Sequence, residues 1–296
     1  MSDVTVLKIG GSVLTGYQGY ANAAAFVAAR LENSAERFVV VVSAEYGHTD
    51  ELYQEAKAIG ATGLDAPDAI VPDAALLDLL WSTGEVRSVA LLSLRLRALG
   101  ASVTGVSVHE VGLSVRAGDD RIAFNPLSIR AALAAHRVVV VPGFLATDRH
   151  RVVTLGRGGS DWSAVLLAAS LGAARCELVK DVDGYFTDDP RIHAGAELIP
   201  TITYETALQM ADDGCPLVQR HAIVEAARAR LPLVIRSLSS EGTLVSERVS
   251  AAVSERTSAV VSERTSAVAS ERTSAVVSER MSAVVSERMS AVVADL

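Results

Sequence analysis

Six short runs of β-branched and aliphatic residues recur along the first 240 or so residues: VTVLKI (4–9), FVVVVS (38–43), SVTGVSV (102–108), RVVVVP (137–142), ELVKDV (177–182) and LPLVIRS (231–237). Most are continuously apolar rather than alternating, which is the pattern of strands covered on both faces. A sheet built from them needs helices on each side. Helix-length segments do lie between the runs, at 22–31, 49–59, 74–80, 86–99, 126–136, 161–171, 204–212 and 219–230, with Pro126 placed as a helix start. The alternation predicts an α/β fold: a three-layer α/β/α sandwich around a mostly parallel central sheet. Residues 109–124 read as a hairpin closed by a Gly-Asp turn.

The 296 residues, half of them hydrophobic, suffice for one large core or two lobes. The formal charge of −8, without a basic patch, argues against nucleic acid as the main partner. No signal peptide is visible ahead of the first strand-like run, and the longest uncharged apolar stretch (162–174) is too short to span a bilayer, so the expectation is a cytoplasmic protein without a membrane partner. Cys176 and Cys215 form neither a disulfide framework nor a metal set, and the histidines show no zinc spacing, so no protein metal site is expected. Only three lysines occur against 24 arginines. Two of them, Lys8 and Lys180, end strand-like runs beside Gly or Asp, which marks them for chemistry.

From Ser246 onward the chain repeats an octapeptide: SERVSAAV, SERTSAVV, SERTSAVA and variants. On a helix eight residues overshoot two turns by about 80°, so no stripe persists and no coiled coil results. The expectation is a weakly structured tail over 246–296, with self-association as its functional alternative.

Five stretches can carry chemistry. In LKIGGSVLTG (7–16) a strand ends in Lys-x-Gly-Gly-Ser, where Gly10, Gly11 and Ser12 can bring backbone N–H groups to an anion and Lys8 adds a charge; a purely steric role for the glycines fits equally. VVVVSAEYGHTD (39–50) ends a buried strand in hydroxyls, Ser43 and Thr49, where such sheets bind ligands, although Thr49 also suits a helix cap. In STGEVRSVALLSLRLRALG (82–100), Glu85 opens an apolar helix; it complements the helix dipole or grips an ammonium group. TLGRGGSDWSAVLLAASLGA (154–173) sets Arg157, Ser160 and Asp161 at the mouth of another apolar helix, with Arg157 offering a planar fork to a carboxylate. KDVDGYFTDDPR (180–191) reads as a nucleotide-contacting loop, with apolar surface for a base and polar groups for ribose and phosphate.

In this order and spacing the five stretches resemble the amino acid kinase superfamily, and within it the catalytic domain of aspartokinases, over about residues 4–245. The resemblance implies that family's fold, with an amino-acid-binding lobe over about 1–150, a nucleotide-binding lobe over about 151–245 and the repeats as a tail. It implies phosphorylation of the side-chain carboxylate of L-aspartate by ATP with Mg2+, and a homodimer. By resemblance, Lys8 neutralises the transferring phosphoryl group and Asp161 holds that lysine. Arg157 grips the α-carboxylate and Glu85 the α-ammonium, while Thr49, Ser160 and Ser43 lie near the side-chain carboxylate. Lys180, Asp181, Phe186, Asp189 and Arg191 fall in the nucleotide loop. IRSLSSEGTLVS (235–246) resembles the connector that leads into regulatory ACT domains; here it leads into the repeats, which implies no feedback by amino acids.

Two departures qualify the match. Where the family reads Gly-Ala-Lys-Val-Leu-His-Pro, this chain reads GCPLVQR (214–220), so Pro216 stands in the place of a second phosphate-binding lysine. Losing such a cation costs about 2–4 kcal/mol of transition-state stabilisation unless another replaces it. Lys180 is the first candidate and Arg220 the second. The start KIGGS, in place of KFGGT, is closer to superfamily kinases acting on small phosphates or phosphonates. The alternatives are therefore another carboxylate or phosphate acceptor, or a non-catalytic nucleotide-binding homologue.

Overall fold

The computed structural model describes residues 4–60, 73–116, 119–156, 158–215 and 217–248. Arg157, Pro216, Gly118 of the Gly-Asp turn and the repeats beyond Arg248 lie outside the described residues.

The chain opens with β1 (Val4–Ile9), α1 (Gly16–Asn33), β2 (Arg37–Val42), α2 (His48–Gly60) and α3 (Ala74–Ala98). There follow β3 (Val103–Gly105), α4 (Val108–Val111), β4 (Leu113–Arg116), β5 (Asp119–Phe124), α5 (Leu127–Ala135), β6 (Val138–Pro142), β7 (Leu145–Asp148) and β8 (Arg151–Thr154). The last third holds α6 (Gly159–Leu171), β9 (Arg175–Val179), β10 (Thr201–Thr203), α7 (Tyr204–Asp212), α8 (Arg220–Ala229), β11 (Leu233–Arg236) and β12 (Thr243–Ser246).

Eight strands make the central sheet in the order β10-β12-β11-β9-β1-β2-β6-β3, parallel at every pairing except β11 with β12. The valine runs form its middle because β-branched side chains pack well on both faces of a covered strand. Alternation splits them between two cores. Leu7, Ile9, Val40, Val42, Val138 and Val140 pack with α1 and α3 on one face. Val4, Val6, Val39, Val41, Cys176 and Leu178 pack with α6, α7 and α8 on the other. This is the three-layer sandwich expected. A second, four-stranded sheet, β5-β4-β7-β8, lies outside it and is tied to α3 where Thr154 Oγ1 donates to Asp78 at 2.7 Å.

Several boundaries differ from expectation. Segments 74–80 and 86–99 form one helix, α3, not two. Ser82 and Thr83 donate their hydroxyls back to Leu79 and Leu80 carbonyls, at 2.6 and 2.7 Å, so the polar triplet before Glu85 is accommodated without a break. Pro126 stands at the cap of α5 rather than inside it. The stretch 235–246, expected as a connector, turns back as β12 against β11. No helix among the described residues is long and apolar enough to cross a membrane.

Candidate active site

Strand alternation assembles the centre of the site. In β1 the even-numbered residues face α6, so Lys8 follows Val4 and Val6 onto that side. It is 7% exposed, and its Nζ lies 3.0 Å from Asp161 Oδ1, in the first turn of α6. In β9, Leu178 is opposite Lys8, and the same parity carries Lys180, just past the strand end, to the same face. Lys180 Nζ donates to Asp161 Oδ2 at 2.9 Å. One buried carboxylate therefore joins two ammonium groups from neighbouring strands. Burial by itself would raise the Asp161 carboxyl, but Lys8 and Lys180 outweigh it and hold it down to about 2. Burial lowers the Lys180 ammonium against the pull of Asp161. With all three ionised the group carries one net positive charge, aimed at the carboxyl ends of the strands.

The turn after β1 closes over this charge. Gly10 N–H donates to Val179 O at 3.0 Å, and Gly11 O accepts from Tyr46 N–H at 3.1 Å. A Cβ on Gly11 would overlap the Ala44 carbonyl oxygen, so only glycine lets the turn lie against the end of β2. Ser12 Oγ donates to Asp181 Oδ1 at 3.0 Å, which ties this turn to the loop after β9.

Glu85 enters from the other layer. It is 3% exposed on α3, and Gly84 before it lets the helix come close: a Cβ there would stand 3.0 Å from both Ala44 Cβ and His48 Cδ2. The Ala44 N–H donates to the carboxyl group, while Oε2 is buried without a hydrogen-bond partner. Burial pushes this carboxyl well above the usual range, with the Lys8 charge and the Ala44 bond offsetting only part. Ser43 is half-buried at the end of β2, with its N–H donating to Ile9 O at 3.3 Å. Ser160 faces Gly143 at the end of β6. Thr49 is half-buried inside the first turn of α2 and its carbonyl accepts from Trp81 Nε1 at 3.1 Å.

A cleft of about 540 Å3 opens beside the two lysines, lined by Lys180, Asp181, Phe186 and by Tyr185, Met210 and Leu217. Asp189 and Arg191 also border it; the Arg191 side chain is 84% exposed, and its guanidinium donates twice to Asp189, at 3.1 and 3.0 Å, beside a backbone N–H bond at 2.9 Å. Lys180 belongs to both the cleft and the ion cluster, so the two are continuous. Of the residues singled out in the sequence, Lys8, Asp161, Lys180, Gly10, Gly11, Ser12 and Asp181 meet, and Glu85 reaches them from α3. Arg157 lies outside the described residues. Arg220 instead pairs with Asp212 at 2.9 Å and is 60% exposed. Sequence reasoning missed Met210 and Leu217 in the apolar wall, because α7 and the loop after it carry no periodic mark of a ligand, and within the 180–191 loop it singled out Phe186 rather than its buried neighbour Tyr185. It also missed the Ala44 backbone.

Residues 3–237 match the model of the amino acid kinase family. An aspartokinase of Thermus thermophilus is 40% identical over 225 residues, which cover 74% of this chain and 53% of that protein. The aspartokinase of Corynebacterium efficiens is 34% identical over 250 residues, covering 82% and 57%. Among solved structures, aspartate kinase from Synechocystis superposes with a TM-score of 0.71 at 33% identity, over 82% of this chain and 40% of that one. E. coli aspartokinase III in complex with aspartate and ADP gives a TM-score of 0.69 at 25% identity, over 84% and 65%. The chain thus spans about half the length of the curated relatives it matches.

Proposed function

The chain belongs to the amino acid kinase family, and on that footing we propose that it transfers the γ-phosphoryl group of ATP to the side-chain carboxylate of L-aspartate, giving 4-phospho-L-aspartate. The observation that carries this reading is the bridging of Asp161 by lysines at the ends of two adjacent parallel strands, beside a buried carboxyl with one oxygen unpartnered. A fixed positive pair suits a phosphoryl group in flight, and the spare Glu85 oxygen suits an ammonium group next to it. The relatives named aspartokinase support aspartate as the acceptor.

In this reading the nucleotide lies in the cleft along Tyr185 and Phe186, with its phosphates directed toward Lys8 and the Gly10–Gly11 amides. Glu85 holds the α-ammonium, Arg157 the α-carboxylate, and Ser43, Thr49 and Ser160 flank the side chain. An aspartate carboxylate oxygen attacks the γ-phosphorus as the bond to the β,γ-bridging oxygen breaks, and that oxygen leaves with the electron pair on ADP. The nucleophile is already an anion, so no base is required; positioning and charge neutralisation carry the catalysis. No cluster of three metal-binding side chains exists among the described residues. That fits Mg2+ held chiefly by phosphate oxygens and water, with Asp181 as the carboxylate placed to join it. Bound there, the ion would neutralise charge on the nucleotide's phosphates. The acceptor lobe is about 1–150 and the nucleotide lobe about 151–245, with Lys8, Gly10 and Gly11 of the first lobe reaching the phosphates and Arg157 and Ser160 of the second reaching the acceptor, in a homodimer of cytoplasmic location.

Hydroxylamine trapping tests the reading. Purified chain with ATP and L-aspartate is expected to yield the aspartyl hydroxamate, and succinate, which lacks the ammonium group, is expected to yield almost none. We further propose that the activity takes no feedback from amino acids, so that lysine and threonine at millimolar concentration should leave the aspartate rate unchanged. Turnover only with a phosphate or phosphonate acceptor, or nucleotide binding without ADP release on any acceptor, would replace this function with another.

A further inference from the structure

We propose that Lys180 is the second phosphate-binding cation of this site, its ammonium contacting a γ-phosphoryl oxygen during transfer from the opposite side of Asp161 to Lys8. The inference rests on the kinase reading and goes beyond it, since it assigns to the end of β9 a charge that the family resemblance places after α7, where this chain has Pro216.

Four observations converge on Lys180. Its position is dictated by register: β1 and β9 are parallel neighbours, Lys8 is opposite Leu178, and two residues further the side chain returns to the face that carries Asp161. Its backbone is fixed as well, because Lys180 N–H donates to Arg236 O at 2.8 Å and continues the β9–β11 ladder one residue past the strand. Its ammonium is 2.9 Å from Asp161 Oδ2, while Lys8 occupies Oδ1 at 3.0 Å, so the carboxylate holds the two cations at a set spacing and screens their repulsion. Finally, Lys180 lines the nucleotide cleft and is 16% exposed, which leaves it reachable by a ligand that enters there.

The charge balance favours the same assignment. Asp161 has one negative charge for two ammoniums; Asp181 attracts Lys180 as well, but it accepts from Ser12 and forms no ion pair with Lys180, so the surplus charge lacks an ion-pair partner among the described residues. A γ-phosphate supplies it; ADP, which lacks the group, does not. Arg220, the other candidate, is paired with Asp212 and 60% exposed, so its charge is spent at the surface.

The test compares nucleotides as well as turnover, using the full chain and the variants K180M, K180R and R220A. For K180M the affinity for the imido analogue of ATP should fall about 10–150-fold, the range for a charge-assisted contact, while affinity for ADP changes by less than about 3-fold, a difference worth under one charged contact. Acyl phosphate turnover should fall about 100–1,000-fold, as when one transition-state donor is removed. K180R should recover part of both losses, and R220A should match the parent chain. Equal loss of both nucleotides in K180M and K180R would reduce Lys180 to a structural partner of Asp161. Unchanged affinity and turnover in K180M would refute the assignment, and a loss confined to R220A would transfer the role to Arg220. If the parent binds both nucleotides yet phosphorylates no amino acid, the acceptor assignment fails while the nucleotide comparison still decides Lys180. If the parent binds neither, the kinase reading and this inference fail together.

Discussion

Glu85 is the residue whose environment has the most direct consequence in solution. Its carboxyl is 3% exposed, accepts only from the Ala44 N–H, and shares the field of a lysine already committed to Asp161. An ionised carboxylate with one bare oxygen is costly in such a place, so burial keeps the group protonated above its usual range. An incoming ammonium group reverses the preference, and binding then releases a proton. The sign follows: affinity for aspartate rises with pH, by at most about tenfold per unit, and levels off above the raised value of the free protein. Calorimetry in two buffers of different ionisation enthalpy should reveal the proton, and KM for aspartate should fall as pH rises. Glu85→Gln should raise KM about 10–150-fold and flatten that slope. A KM independent of pH in the parent chain, with no buffer-dependent heat, would show that Glu85 is ionised before the ligand arrives. At this scale much of the candidate site was legible, because lysine is scarce, Lys8, Lys180 and Asp161 stand at or beside element ends, and Glu85 heads an apolar run even though it lies midway along α3. What the sequence could not display was the pairing itself. That two lysines 172 positions apart meet on one carboxylate depends on β1 and β9 being neighbours, and strand order is not written in either segment.

Among the elements, β1 and α7 match the expected boundaries, since continuous valine-rich or strongly amphipathic segments leave little choice of period. The errors share a cause: local signals overruled by long-range contacts. Ser-Thr-Gly reads as a helix break, yet α3 runs through it because both hydroxyls bond back along the helix and Gly84 fits against Ala44. The β7–β8 hairpin went unseen because its turn has no Gly or Pro; Arg149 takes the left-handed conformation instead, at φ 55°. β12 went unseen because it is four residues long and earns its place by contact. Its Thr243 is fully buried, accepts from Tyr185 N–H at 2.9 Å and donates to Ile199 O at 2.6 Å, so it fastens both ends of the loop that walls the proposed nucleotide cleft. Thr243→Val leaves both backbone groups buried and unpaired, and should cost about 1–3 kcal/mol in urea unfolding and raise KM for ATP. Thr243→Ser keeps the hydroxyl and should stay within about 1 kcal/mol of the parent. If the valine variant were as stable as the serine one, the two bonds would contribute nothing to the fold.

For the molecule as a whole, the surface of α3 bears on the proposed homodimer. Leu76, Leu79, Val86 and Leu94 are 66%, 57%, 46% and 65% exposed, and with Thr83 and Ala90 they follow one another at steps of three and four. That spacing makes a single stripe, about 27 Å long at 1.5 Å per residue. Isolated exposed leucines are ordinary on a protein surface, but a stripe of aliphatic side chains broken only by Thr83, on the longest helix among the described residues, is not. The stripe is also self-complementary. Turned antiparallel about its middle, it sets leucine ends over leucine ends and brings Asp73 at the amino end toward Arg95 and Arg97 at the carboxyl end, as a two-fold interface requires. The octapeptide repeats offer a competing route to association, and the two separate cleanly. A chain ending at Arg248 should remain dimeric in sedimentation equilibrium, because α3 is intact. The full chain with Leu79→Asp and Leu94→Asp should sediment as a monomer while keeping its circular dichroism, since neither side chain belongs to the core. A monomeric truncated chain beside a dimeric double variant would move the interface from α3 to the repeats. Should dimerisation and turnover be lost together in the double variant, Glu85 supplies the link, because it lies on the same helix as the stripe and faces the proposed acceptor site.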